Sequence, residues 1–170
     1  YKNLIKLVSA GYIEGFYSRP RIDFDILKEH SDGLICLSAC LAGEIPRLLL
    51  NNNYEKAKET ALRYKEVFGE DNYYIEIQNH DIPEQKQILP LLYRLSKETG
   101  IGLVATNDAH YISKDDAYMQ QVLVCIATKT TLGDPKALEF PTDEFYIKSY
   151  DEMNELFSTY EGAVSNTCKI

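Results

Sequence analysis

Residues 73–107, YYIEIQNHDIPEQKQILPLLYRLSKETGIGLVATN, decide the fold class of this chain. Residues 73–78 alternate between the two faces of an extended chain and are rich in β formers, which predicts a strand. Residues 83–100 predict a helix that starts at a proline and stops at a glycine, although the internal Pro90 is expected to kink or split it. Residues 102–107 form a short apolar run typical of a buried strand. Strand, helix and strand in this order indicate a parallel α/β arrangement with crossover helices.

The same alternation continues on both sides of this stretch. Residues 34–40 are apolar and bounded by glycines, which predicts another buried strand. Residues 145–148 fit either a final strand or an extended connection. Helix patterns, several with capping residues or terminal glycines, are found at residues 4–15, 23–30, 44–51, 54–68, 113–128 and 149–157.

Composition limits the class of protein. The chain has 170 residues, which suits one domain, and its 26 acidic against 18 basic side chains give a net charge of −8. This balance disfavours a nucleic-acid-binding module that acts alone. No apolar run is long enough to span a membrane, so we expect a cytoplasmic location with four free thiols. The start at Tyr1, without a methionine and already within a helix pattern, suggests a piece excised from a longer protein.

Polar side chains follow one face of each predicted strand towards its carboxyl end. Because the carboxyl ends of parallel strands meet at one edge of the sheet, we expect these side chains to gather where active sites form. The faces in question carry Cys36, Ser38 and Cys40 on the first strand, Tyr74, Glu76, Gln78 and then His80 on the second, and Val104, Thr106, Asp108 and His110 on the third.

The triplet Asp108-Ala109-His110 is the sharpest single feature. A carboxylate and an imidazole two residues apart in extended backbone project together and suit zinc, manganese or iron. The alternatives are a carboxylate that orients the histidine or caps the next helix. Cys40 fits a thiolate ligand or a small buried apolar residue, and His80 fits a ligand, a base or a hydrogen-bonded loop residue.

An aromatic and arginine-rich loop follows the first predicted helix. Phe16 and Tyr17 stand beside Arg19 and Arg21, a combination that suits contact with phosphate and nucleic acid. Pairing of the two arginines with carboxylates at a domain interface is the alternative. Phosphate-binding loops, dinucleotide fingerprints and nucleophile elbows are absent from the sequence.

Five runs of sequence cover almost the whole chain. In order they are NLIKLVSAGYIEGFYSRPRID, GLICLSACLAGEIPRLLL, EVFGEDNYYIEIQNHDIPEQ, GLVATNDAHYISKDDAYMQQVLVCIATKTTL and FPTDEFYIKSYDEM. In sequence and spacing they resemble the α subunits of bacterial DNA polymerase III. The match is to the later part of their N-terminal polymerase and histidinol phosphatase (PHP) domain. The resemblance implies part of a distorted (β/α)7 barrel, with residues 1–140 in the PHP domain and residues 141–170 as a connection towards the polymerase palm.

The resemblance also implies roles for individual residues. Cys40 matches the family's cysteine ligand, and Asp108 and His110 match its closing Asp-x-His pair, at a site for zinc or manganese. The first ligands of the family, a His-x-His, would lie before Tyr1. His80 matches a recurrent histidine that is adjacent to the site and not a ligand. Asp81 stands where glycine is usual, and Lys129 lies in a Thr-Lys-Thr segment that lacks the usual glycine.

The implied parent is a DNA-directed DNA polymerase, whose own site uses magnesium and whose catalytic aspartates are not in this chain. Its PHP domain is implied to remove 3′ nucleotides; the alternative is a non-catalytic scaffold that docks a separate proofreading subunit. Implied partners are DNA, deoxynucleotides, other polymerase domains, the proofreading subunit and a sliding clamp. The chain alone is expected to have no nuclease activity and at most weak metal binding.

Overall fold

The computed structural model describes all residues from Tyr1 to Ile170. Helices and strands alternate along most of the chain, as the sequence predicts. In order they are α1 (Lys2–Ile13), α2 (Phe24–Glu29), β1 (Cys36–Leu37), α3 (Glu44–Leu50), α4 (Tyr54–Phe68), β2 (Tyr73–Ile77), α5 (Pro83–Thr99), β3 (Leu103–Ala105), a 3₁₀ turn (Lys114–Asp116), α6 (Ala117–Thr128), α7 (Tyr150–Phe157) and a second 3₁₀ turn (Ser165–Cys168).

The three strands form one parallel sheet in the order β1-β2-β3. This confirms the α/β class and the partial (β/α) arrangement, with a sheet that stays open and does not close into a barrel. β1 is much shorter than the predicted strand over residues 34–40, because only Cys36 and Leu37 pair with β2. Ala39 then takes a left-handed conformation, with φ of 66°, which ends the extended backbone.

Helix α5 is continuous from Pro83 to Thr99, so Pro90 does not split it as expected. Pro90 lies on the exposed side, where water can bond the carbonyl group that the proline leaves without a donor. The helix ends at Gly100 in the left-handed conformation, with φ of 67°, which glycine adopts without steric cost. The predicted glycine stop is therefore confirmed.

The buried apolar core is a cluster of 17 residues around the sheet, contributed mainly by β2, α3, α4 and α5. Residues after 150 also belong to it, since Phe157 and Ala163 are members. The main-chain nitrogen of Ala105 donates to the carbonyl oxygen of Ala163 at 2.8 Å, and Asn166 Nδ2 donates to the carbonyl oxygen of Leu103 at 2.8 Å. The last segment of the chain therefore closes the outer edge of β3.

Local signals near the C-terminus are confirmed in detail. Ser113 with Asp116, and Ser149 with Glu152, both form reciprocal capping boxes. Residues 145–148 form an extended connection that touches the chain near Tyr111 through one parallel bridge to Tyr146. All four cysteines are free, and no helix has the length and apolar character required to cross a membrane.

Candidate functional site

A polar network ties together the carboxyl ends of the three strands. The main-chain nitrogen of Glu76 donates to Ser38 Oγ at 2.9 Å. Gln78 Nε2 lies 3.0 Å from both Glu76 Oε1 and Thr106 Oγ1, and Thr106 Oγ1 donates to the Glu76 carboxylate. The convergence expected from side-chain alternation is therefore confirmed for these four residues.

Cys40 lies beside this network in a narrow cleft of about 10 Å³, also lined by Glu76, Gln78 and Gln85. The cleft has room for about one water molecule. Gln78 is 8% exposed, and its Oε1 atom is buried without a hydrogen-bond partner. An unpaired buried polar atom of this kind costs free energy.

Asp108 and His110 lie on a tip where the backbone turns. The extended conformation expected to persist past β3 ends at Asp108, whose φ is 42°. His110 Nδ1 donates to the main-chain oxygen of Asp108 at 2.7 Å, so the carbonyl group and not the carboxylate orients this imidazole. Both residues are exposed, unlike Cys40 in its cleft.

Two phenylalanines hold the His110 ring. Phe140 and Phe145 contact it edge-on, with centroids 4.9 and 5.3 Å away. The main-chain nitrogen of His110 also donates to the carbonyl oxygen of Phe145 at 2.7 Å. Residues 108–111 are therefore held in place by Phe140 and Phe145, which come after α6 in the chain.

His80 is a buried structural residue, 1% exposed. Its ring stacks on Phe145 with centroids 4.3 Å apart and planes at 6°. His80 Nε2 donates to the main-chain oxygen of Asn107 at 2.9 Å, and Gln85 Nε2 donates to His80 Nδ1 at 2.9 Å. Of the three readings left open by the sequence, the hydrogen-bonded loop residue agrees with these contacts.

The segment after Phe145 carries its own charge network. Lys148 is 8% exposed and pairs with Glu144, and burial lowers the pKa of its amine. Tyr146 donates its hydroxyl to Glu152 Oε1 at 2.6 Å. This hydrogen bond, with those from Ser149, holds the pKa of the Glu152 carboxyl at about 2.

Phe145 is the residue that sequence reasoning missed. It links His80 to His110, yet it lies far from both in sequence, and a single phenylalanine beside polar residues carries no local signal.

The residues present do not form a zinc or manganese site by themselves. A thiolate, a carboxylate and an imidazole are suitable donors for these metals. However, no three His, Cys, Asp or Glu side chains of the chain are grouped so that they could hold a metal ion. Cys40 lines its cleft with Glu76, whereas the His110 ring packs against Phe140 and Phe145.

Comparison with known proteins agrees with this architecture. The PHP domain family matches residues 1–80. The chain is 49% identical over 170 residues to the DNA polymerase III subunit alpha of Treponema pallidum, covering all of this chain and 14% of that protein. It is 47% identical over 161 residues to the same subunit of Thermus aquaticus, covering 95% of this chain and 13% of that one. The counterpart of Helicobacter pylori strain 26695 is 44% identical over 180 residues, with 15% of its length covered.

Proposed function

We propose that this chain works as part of a replicative DNA polymerase, because residues 1–80 match the PHP domain family and all 170 residues align with a bacterial DNA polymerase III α subunit. The observation that carries the proposal is identity of 49% that extends over all 170 residues, from α1 to the last 3₁₀ turn. The chain spans only 14% of that relative, so DNA synthesis itself would be carried out elsewhere in the same polypeptide.

Within such a polymerase we propose a metal-dependent 3′-5′ exonuclease role for the PHP portion. Cys40, Asp108 and His110 would supply three of the ligands, and residues outside this chain would supply the others. Metal ions held there would supply Lewis-acid chemistry suited to phosphodiester hydrolysis. The polar network around Glu76 would keep the strand ends in register, and Phe145 would hold the His110 ring in place.

A scaffold role is the second candidate, and a specific observation favours it. Both His80 and His110 are packed against Phe145, which gives the two rings a structural role. In this role the carboxyl edge of the sheet, with Phe140 and Phe145 beside it, would support the polymerase and dock a separate proofreading subunit. A sliding clamp, DNA and deoxynucleotides would be partners of the whole enzyme, with magnesium at its polymerase site.

The test uses the full-length α subunit that contains this sequence. Primer extension should be present, and its absence from a folded preparation would overturn the polymerase proposal. Metal analysis and removal of 3′ nucleotides from single-stranded DNA then separate the two PHP roles. For the exonuclease, Asp108→Asn should abolish nucleotide removal and leave primer extension unchanged.

Asp115→Asn is the matched control, because Asp115 is an exposed aspartate on the following 3₁₀ turn. It should leave nucleotide removal unchanged. Stoichiometric metal lost in Asp108→Asn but kept in Asp115→Asn supports the exonuclease role. Absence of both metal and nucleotide removal from the unsubstituted enzyme would exclude that role and favour the scaffold.

A further inference from the structure

Positive charge is concentrated at the N-terminal end of this acidic chain. Residues 1–28 carry five basic and three acidic side chains, a local charge of +2, whereas the other 142 residues carry −10. None of these five basic residues takes part in a salt bridge. Eight of the thirteen basic residues in the remainder do, so the cations of the N-terminal end are left free for another anion.

Two of these cations, Arg19 and Arg21, lie on the loop of residues 16–22, which we call the arginine loop. Both are exposed, and neither contacts a carboxylate within this chain; the expected pairing at a domain interface stays a prediction. A guanidinium group without a carboxylate partner is well suited to phosphate, because its donors match two oxygens at once.

The backbone of the arginine loop is fixed against α1. The main-chain nitrogen of Arg21 donates to the carbonyl oxygen of Gly15 at 3.2 Å, and that of Tyr17 donates to the carbonyl oxygen of Arg19 at 3.2 Å. A Cβ atom at Gly15 would lie 1.9 Å from the carbonyl oxygen of Arg21, so only glycine permits this approach. Because the loop is preformed, binding a ligand would cost little ordering of the backbone.

Aromatic rings stand beside the arginines. Phe16 and Tyr17 are 58% and 76% exposed. Phe16 stacks on Tyr12 with centroids 6.3 Å apart, and the Arg21 guanidinium lies 5.9 Å from the centre of the Tyr17 ring. Exposed rings next to unpaired arginines are the combination that binds the bases and phosphates of single-stranded nucleic acid.

We propose that the arginine loop binds single-stranded DNA, with Arg19 and Arg21 on phosphates and Tyr17 stacked on a base. The choice of DNA among polyanions rests on the proposed polymerase function, whereas the anion site itself does not. A duplex fits less well, since its base faces are already stacked and only its phosphates would be reached. An acidic peptide would meet the arginines but would leave the rings without a planar partner.

The experiment measures fluorescence anisotropy of a labelled twelve-nucleotide oligothymidylate titrated with the 170-residue chain at several salt concentrations. The slope of log K against log[salt] is negative, and the double variant Arg19→Gln/Arg21→Gln should reduce its magnitude by about 1.4. Each phosphate contact on a single strand contributes about 0.7 to that magnitude. Arg19→Lys/Arg21→Lys should largely retain the slope. Tyr17→Ala should weaken binding about tenfold without changing the slope, because it removes one stacked base.

Lys129→Gln/Lys136→Gln is the matched control. These two lysines are also exposed and take part in no salt bridge, so the change in net charge is the same. The control should bind like the unsubstituted chain. Equal losses in the two glutamine double variants would reduce the effect to net charge and overturn the proposal.

Three other results would also overturn it. Equal binding of oligothymidylate and of an oligonucleotide of the same length without bases would remove the stacking contact. Polyglutamate competing as strongly as DNA at equal charge would assign the loop to an acidic protein segment. No binding at low salt by a folded chain would remove the site altogether, whatever primer extension shows for the full-length enzyme.

Discussion

Replacing Phe145 by leucine should weaken the aromatic cluster that holds both site histidines. Phe145 is 6% exposed and contacts the rings of His80, His110 and Phe140. Leucine keeps most of the apolar volume but loses the three ring pairs, each of which contributes about 0.5–1.5 kcal/mol beyond burial. We therefore expect the free energy of unfolding to fall by about 2 kcal/mol, near the lower end of that sum. For a chain of this length the melting temperature should fall by about 4–8 °C.

The NMR signals of the histidine ring protons show where in the chain the aromatic packing is lost. The chain has three histidines, so it gives a small set of resolved signals. Phe145→Leu should shift the signals of His80, which lies flat against the ring at 4.3 Å, and of His110, and leave those of His30 unchanged. Phe68→Leu is the control, because Phe68 stacks on Tyr73 at another part of the core. Unchanged His80 and His110 signals in Phe145→Leu would refute the reasoning.

Three further predictions concern stability. Gly15→Ala should force the arginine loop away from α1 and destabilise the chain by about 1–3 kcal/mol, which trypsin would detect as faster cleavage after Arg21. Gly11→Ala is the control and should leave cleavage unchanged, because its Cβ would lie 3.4 Å from the carbonyl oxygen of Arg21. Asp108→Val should lower the free energy of unfolding, measured by urea denaturation, by about 1–2 kcal/mol, because a β-branched residue resists a φ of 42°. Asp108→Gly should lower it by no more than a few tenths of a kcal/mol relative to the unsubstituted chain. Hydrogen bonds from Lys58 and then Arg94 hold the pKa of Glu98 at about 2, below its usual 4.5, so the chain should lose stability as the pH falls from about 4.5 towards 2. The melting temperature of Glu98→Gln should change less with pH across this range than that of the unsubstituted chain. An equal pH dependence would contradict the stabilising role assigned to the ionised Glu98.

The elements that sequence analysis located well are those whose signals are local. Gly69 and Gly100 end α4 and α5, and the capping boxes at Ser113 and Ser149 start their turns. A cap depends on residues within one turn, so the sequence nearby contains all the information. The length of β1 depends instead on where β2 offers partners, and the apolar pattern of residues 34–40 does not contain that information.

The candidate site was predictable only as far as the strands extend. Side-chain alternation correctly brings Glu76 and Thr106 together, because both lie on or directly after paired strands. It fails at Ala39 and Asp108, where the backbone turns left-handed and the two-residue period ends. The packing of His80 on Phe145 joins residues that are distant in the chain, so nothing near either residue indicates it.

The late closure of the β3 edge has a consequence for synthesis of the chain on the ribosome. Asn166 bonds Leu103 across 63 residues, so β3 is made long before the residues that cover it. At bacterial and eukaryotic synthesis rates this delay is roughly 3–12 s. During that interval the edge presents unpaired main-chain groups to any other nascent chain. A ribosome that pauses between residues 105 and 163 would lengthen the exposure, and aggregation during translation would be the expected cost.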